Sequence, residues 1–402
     1  MNNAAPRILT INGGSSSIKF AVFEGGDGLK RILKGGIERI GQPDAQLRVV
    51  AGNEADSLCR AIDAPDQASA IAVLLAWLQD SGGRQPFAAI GHRIVHGGPD
   101  YSAPQRVDAT VLAQLQQLRT LDPEHMPAEL ALVEAFQRRY PLLPQLLCFD
   151  TAFHHELPRV ARMLAIPRRY EAQGVRRYGF HGLSYAWLMQ ELARVAGADA
   201  AQGRIVLAHL GNGASLAAVH HGRAVDTSMG FTPSAGLPMG SRAGDLDPGL
   251  AGYLARSETM SAARFDRMIN FESGLLGISE TSADMRDLLA RESDDIRAAE
   301  AIALFCYQAK KWIGAFAAAL GGIDTLVFSG GIGEHAPLVR QRICAGLGFL
   351  GIELDGATNS ADAPLISAPG GGVAVRVIAT NEELMIAQSV SRMLARGDDP
   401  QE

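Results

Sequence analysis

The segment ILTINGGSSSIKFAVF, residues 8–23, constrains the fold more than any other. An apolar run halts at Gly-Gly-Ser-Ser-Ser and resumes as alternating apolar residues that include one cation, Lys19. Two strands joined by a tight turn satisfy that pattern. Glycines let the backbone come close to a ligand, and hydroxyls with free N–H groups suit an anion such as phosphate. A plain hairpin turn explains the two glycines, but not the three serines and the lysine.

The hairpin is echoed roughly 200 residues later in RIVLAHLGNGASLAAVHHGRAVD, as in an internal duplication. A third Gly-rich turn, in DTLVFSGGIGEHAPLVRQRI, follows an apolar strand and enters a helix. None of these turns is a P-loop, and none completes the G-x-G-x-x-G of a dinucleotide fold. Two phosphate-like hairpins in a duplicated frame predict an α/β protein with the two-domain actin/hexokinase/Hsp70-like (RNase H-like) ATPase fold.

Elsewhere RILTI, IKFAVF and LKGGIERI predict an antiparallel start, and DQASAIAVLLAWLQD a helix. FAAIGHRIVHGG and LLCFDTAFH read as buried strands running into polar loops, where α/β proteins place ligands. The helical AIALFCYQAKKWIGAFAAALGG is interrupted by Lys310 and Lys311 and reads as a core helix. The 402 residues are too many for one core. A net charge of -6 argues against a nucleic-acid partner. Cys59, Cys148, Cys306 and Cys344 are far apart with no CxxC pair, which excludes a zinc-finger spacing and fits a reducing compartment. With no apolar signal segment at residue 1 onward, the expectation is a cytoplasmic protein away from membranes.

Ten motifs then occur in one order: INGGSSSIKF, GHRIVHGG, FDTAFH, RRYGFHGLSY, HLGNGAS, DTSMGFTP, MGSRAGDLDPG, SGLLGIS, FSGGIGEH and TNEELMIA. Over nearly the whole chain this resembles the acetate kinases, a family that includes propionate and butyrate kinases. The resemblance implies reversible transfer of ATP's γ-phosphoryl group to a short carboxylate, most simply acetate. It also implies Mg²⁺ or Mn²⁺ and a homodimer formed through the second domain. The domains expected are residues 1–150 with 383–402, and residues 151–382.

By resemblance, Asn12 and Glu382 lie at the metal, and Lys19 near phosphate. Arg93, Val95 and residue 124 face the carboxylate, while Asp150, His181, Arg242 and His125 are catalytic. The same resemblance gives His209, Leu210, Gly211, Asn212 and Gly213 to the second phosphate hairpin. It gives Asp284, Met285, Arg286, Gly331, Ile332, Gly333, Glu334 and His335 to adenosine.

Residue chemistry weighs these roles. A cation at a buried strand end needs an anionic partner, and Arg93's fork suits a carboxylate, whether substrate or protein. Asp150 is drawn in the family as a proton acceptor, but a carboxylic acid is already ionised at neutral pH and has no proton to lose. Orienting Arg93, binding Mg²⁺ through water and capping the following turn are the alternatives. His181 and Arg242 suit the charge that spreads over equatorial oxygens in phosphoryl transfer. His96, His154, His155, His220 and His221 read as structural or surface residues. The family's Leu-His-Asn-Pro is here Glu124-His125-Met126-Pro127, and TPSAGLPMGSR replaces Thr-Pro-Leu-Glu-Gly-Leu-Met-Met-Gly-Thr-Arg. Glu124 can face solvent, pair with an arginine, or bind a hydroxylated acyl chain. The rivals are therefore a kinase for propionate or a hydroxylated acid and a non-transferring Hsp70-like ATPase.

Overall fold

A computed structural model describes residues 5–14, 16–25, 28–52, 57–82 and 86–396. Ser15 of the first turn and the last residues of the expected first domain lie outside them. The chain divides into two compact units, residues 5–152 with 381–396 and residues 153–380.

In the first unit, β1 (Arg7–Gly13), β2 (Ser17–Glu24), β3 (Lys30–Glu38), β4 (Gln46–Ala51), β5 (Leu58–Ala61), β6 (Phe87–Ile94), β7 (Gln105–Arg106) and β8 (Gln145–Phe149) form one sheet. Its order is β5-β4-β3-β2-β1-β6-β8-β7. The predicted hairpin is β1 and β2, paired antiparallel with Asn12 opposite Lys19. β4 and β5 extend the expected three-stranded start by two strands. Strand β1 is buried along almost its full length because helices cover both faces.

On one face, Ala70, Leu74, Trp77 and Leu78 of helix Gln67–Gly82 pack with Leu9, Phe20, Val22 and Leu47. On the other, helix Glu382–Arg396 buries Ile386 and Val390. It comes so close to β6 that a Cβ on Gly91 would meet Val390 Cγ2 at 2.7 Å. That close seat holds the start of the helix, and so Glu382, against the end of β1.

In the second unit, β9 (Ile205–Leu210), β10 (Ala214–His220), β11 (Arg223–Thr227), β12 (Thr325–Ser329) and β13 (Ala374–Val377) form a sheet ordered β11-β10-β9-β12-β13. Adjacent strands pair antiparallel, antiparallel, parallel, parallel. The run β3-β2-β1-β6-β8 repeats that pattern. This repeat is the duplicated actin/hexokinase/Hsp70-like arrangement expected from the two hairpins. Helix Ile296–Leu320 buries Ala298, Ile302, Phe305, Ala309, Ile313 and Phe316, a single 3.6-period stripe against the sheet. No helix among the described residues is long and apolar enough to cross a membrane.

Candidate active site

Arg93 stands at the C-terminal end of β6, and Asp150 follows the end of the neighbouring parallel β8. The ladder runs on past the strands, with Asp150 N–H donating to the Ile94 carbonyl at 3.0 Å. Asp150 Oδ2 accepts from Arg93 Nε at 3.0 Å and from Nη2 at 2.6 Å. Asp150 is fully buried, and its Oδ1 has no hydrogen-bond partner. Arg93 Nη1 donates to Glu129 Oε1 at 2.9 Å. Three of the guanidinium's five N–H groups are thereby engaged.

The electrostatics follow from this crowding. Burial opposes Arg93's charge, but the carboxylates of Asp150, Glu129 and Glu382 outweigh it and raise its pKa. Burial pushes Glu129 up to about 7, against the pull of Arg93 and the Val95 N–H. Glu382 is raised by burial and by the charge of Asp150, with Arg93 and Lys19 acting the other way.

Asn12, Lys19 and Glu382 gather at the end of β1. Asn12 Nδ2 donates to Glu382 Oε2 at 3.1 Å, although 370 residues separate them. Lys19 lies directly opposite Asn12 in the antiparallel pair, so both side chains share one face. Glu382 opens a helix capped by Asn381, whose Oδ1 accepts from Leu384 N–H at 3.2 Å. Among the described residues no group of three His, Cys, Asp or Glu could hold a metal by itself. Magnesium asks for less, one or two carboxylates and the substrate's phosphates. The unpartnered Asp150 Oδ1 and the neighbouring Glu382 fit that demand.

His125 sits at the start of helix Met126–Arg139, its Nδ1 2.9 Å from Asp122 Oδ1. Burial opposes the charge of Asp122, yet the bonds and charge of His125 hold its carboxyl below the usual value. Glu124 is half-buried in the preceding turn. The Val95 side chain is buried, and its N–H donates to Glu129 Oε2 at 2.8 Å. His96 is buried, and its Nδ1 accepts Gly98 N–H at 2.8 Å.

The second unit holds its own cluster around the turn between β9 and β10. His181 caps helix Gly182–Ala196 at φ +58°, a left-handed conformation that costs a non-glycine residue roughly 1–2 kcal/mol. Two contacts hold it there. Its Nδ1 lies 2.8 Å from Ser215 Oγ, and its ring stacks on His209 at 4.3 Å. Its Nε2 faces the turn, since a Cβ on Gly213 would meet that atom at 3.3 Å. His209 Nδ1 in turn is 2.8 Å from Ser184 Oγ, which Thr380 Oγ1 reaches at 2.8 Å. The loop carrying Arg242 is pinned to the same turn by Gly240 N–H donating to the Asn212 carbonyl at 3.0 Å. Arg242 Nη1 is 3.4 Å from the Pro233 carbonyl oxygen.

The expected adenosine residues are built into their own turns. Gly330 at φ +74° leads from β12 into helix Gly330–His335, and a Cβ there would meet the Leu210 carbonyl at 2.6 Å. Glu334 Oε1 accepts from the N–H groups of Gly330 at 2.9 Å and Thr380 at 3.1 Å, so this carboxylate braces the turn. Asp284 caps the helix that begins at Met285 and pairs with Arg286 at 2.6 Å. Gly331, Ile332, Gly333 and His335 form the rest of the short helix.

Glu129 and Asp122, and the hydroxyls of Ser184 and Ser215, are absent from the sequence expectation. A glutamate in the first turn of a helix passes as an ordinary dipole partner, which hides Glu129. Asp122 carried a signal, an acid three residues before His125.

The sequence model of the acetokinase family matches residues 7–388. An acetate kinase of Rhodopseudomonas palustris is 46% identical over 400 residues, 97% of this chain and 99% of that one. One from Methylocella silvestris is 44% identical over 398 residues, 96% and 98% of the two chains. Among solved structures, Porphyromonas gingivalis acetate kinase superposes with a TM-score of 0.87 at 36% identity, covering 97% of this chain and all of that one. A propionate kinase from Francisella tularensis gives 0.89 at 34% identity, with 96% and 98% covered.

Proposed function

Since the chain belongs to the acetokinase family, we propose that it transfers the γ-phosphoryl group of ATP reversibly to acetate, forming acetyl phosphate and ADP. It is a phosphotransferase with a carboxyl group as acceptor. The observation that carries the choice of acceptor is Arg93, a strand-end guanidinium held by Asp150 and Glu129 with N–H groups left for a substrate carboxylate.

The substrate carboxylate arrives ionised and attacks without losing a proton, so no general base is needed. Asp150 acts by holding Arg93. His181 and Arg242 are assigned to the charge that develops on the equatorial oxygens of the moving phosphoryl group. His209 to Gly213 supply a hairpin turn suited to phosphate, and Lys19 a cation on the face of Asn12. Mg²⁺ or Mn²⁺, when bound, would neutralise phosphate charge, with Asn12, Glu382 and the unpartnered Oδ1 of Asp150 as the groups that would hold it. The glycine turn around Gly331 and the helix start at Asp284 are assigned to adenosine. A cytoplasmic homodimer is part of the same reading. The exposed Tyr253, Ile296 and Tyr307 of the second unit support a covered face.

Propionate is the lesser reading, favoured by the likeness to a propionate kinase. The test is a panel of C2 to C5 acids with ATP and Mg²⁺, trapping acyl phosphate as its hydroxamate. Acetate is expected to give the highest kcat/KM. A panel in which no acid yields hydroxamate would overturn the acyl kinase.

A further inference from the structure

Asp150 alone leaves Arg93 a degree of freedom. Its two bonds from Arg93 converge on one atom, Oδ2, so they form a pivot about which the guanidinium plane can swing. Glu129 supplies the second fixed point. Its Oε1 accepts from Nη1 at 2.9 Å, and its Oε2 accepts from the Val95 N–H at 2.8 Å. One buried carboxylate thus locks the arginine to the backbone two residues farther along the chain. Helix Met126–Arg139 presents Glu129 from its first turn, where the helix dipole favours an anion.

We propose that Glu129 is the positioning residue of the carboxylate site, fixing the plane of Arg93 so that its remaining N–H groups meet the substrate carboxylate. The proposal rests on the acyl-kinase reading.

Glutamine at this position separates positioning from mere filling. It has the size of glutamate but one acceptor, while both groups facing it are donors. One of the two bonds must fail, and its amide N–H₂ then faces a donor. Full-length Glu129→Gln, assayed for acetyl phosphate formation, is expected to raise KM for acetate ~10-fold or more, the usual effect of losing a bond to a charged group. KM for ATP is expected to stay within about twofold of wild type. In an Arg93→Ala background the loss is expected not to multiply, because Glu129 acts through Arg93. An unchanged acetate KM, an equal rise in both KM values, or multiplying losses would each overturn the assignment. Wild type that forms acetyl phosphate while the variant matches it overturns Glu129 alone. Wild type that forms none removes the kinase reading and this role with it.

Discussion

Asp150 takes two N–H bonds from Arg93 on a single oxygen, Oδ2, and leaves its other oxygen buried and unpartnered. A carboxylate used this way is an orienting anion. Asp150→Asn keeps the shape and removes the charge that offsets the guanidinium. We expect kcat/KM to fall ~100-fold or more, the scale of breaking a buried ion pair. An acid limb near neutrality set by Glu129 is expected to remain in the variant. A wild-type limb near neutrality that disappears in the variant would instead make Asp150 a general base.

Arg93 and Arg242 differ in kind. Arg93→Ala removes the partner of the acceptor carboxylate and is expected to act chiefly on acetate KM. Arg242→Ala removes a donor to the developing charge and is expected to cut kcat by ~100-fold or more. Steady-state kinetics with acetate and ATP varied separately decide this. Near-wild-type kcat/KM in both variants would remove the assignment.

The hairpin of β1 and β2 is legible in the sequence because its alternation, glycine turn and single lysine lie within a few residues. The repeat around His209 is legible for the same reason. The alternating burial of Leu47, Arg48, Val49 and Val50 in β4 also carries a period of two, but the run is too short to stand out between turns. The contacts that build the site are not local. Arg93 and Asp150 lie 57 positions apart, and Asn12 and Glu382 lie 370 apart, so only the sheet order and the docking of the last helix join them. Glu129 is hidden most completely. Neither its helix nor its role is read from the sequence, and only the packing against β6 turns a first-turn glutamate into a buried clamp.

Glu124 tests substrate choice. An ionised glutamate ~4 Å from a carboxylate substrate would repel it by about 4 kcal/mol at an effective dielectric near 20. If it lines the pocket, Glu124→Leu is expected to gain kcat/KM for acetate and propionate and to lose it for hydroxy acids. The acid panel on wild type and variant checks this. An unchanged preference order would put Glu124 outside the pocket.

His154 gives the protein an acid limit. It is buried with a ring Nε2 3.0 Å from the Phe180 carbonyl oxygen, and burial lowers its pKa to about 4. A lowered folded pKa contributes stability above the ordinary value of 6.5, and this is lost as pH falls toward 4. Glu129 works oppositely, because its raised pKa gives stability at low pH that fades as pH rises toward 7. Comparing wild type with His154→Gln isolates the histidine. Their difference in unfolding free energy is expected to shift against wild type by up to about 3 kcal/mol between pH 7 and pH 4. A difference constant with pH would show that His154 does not titrate differently on unfolding.

The most direct test follows phosphorus itself. In ³¹P NMR of the purified protein with ATP, Mg²⁺ and acetate, we expect the acetyl phosphate resonance to grow one for one with ADP. ADP accompanied only by inorganic phosphate, or no acetate-dependent change, would contradict phosphoryl transfer to a carboxylate.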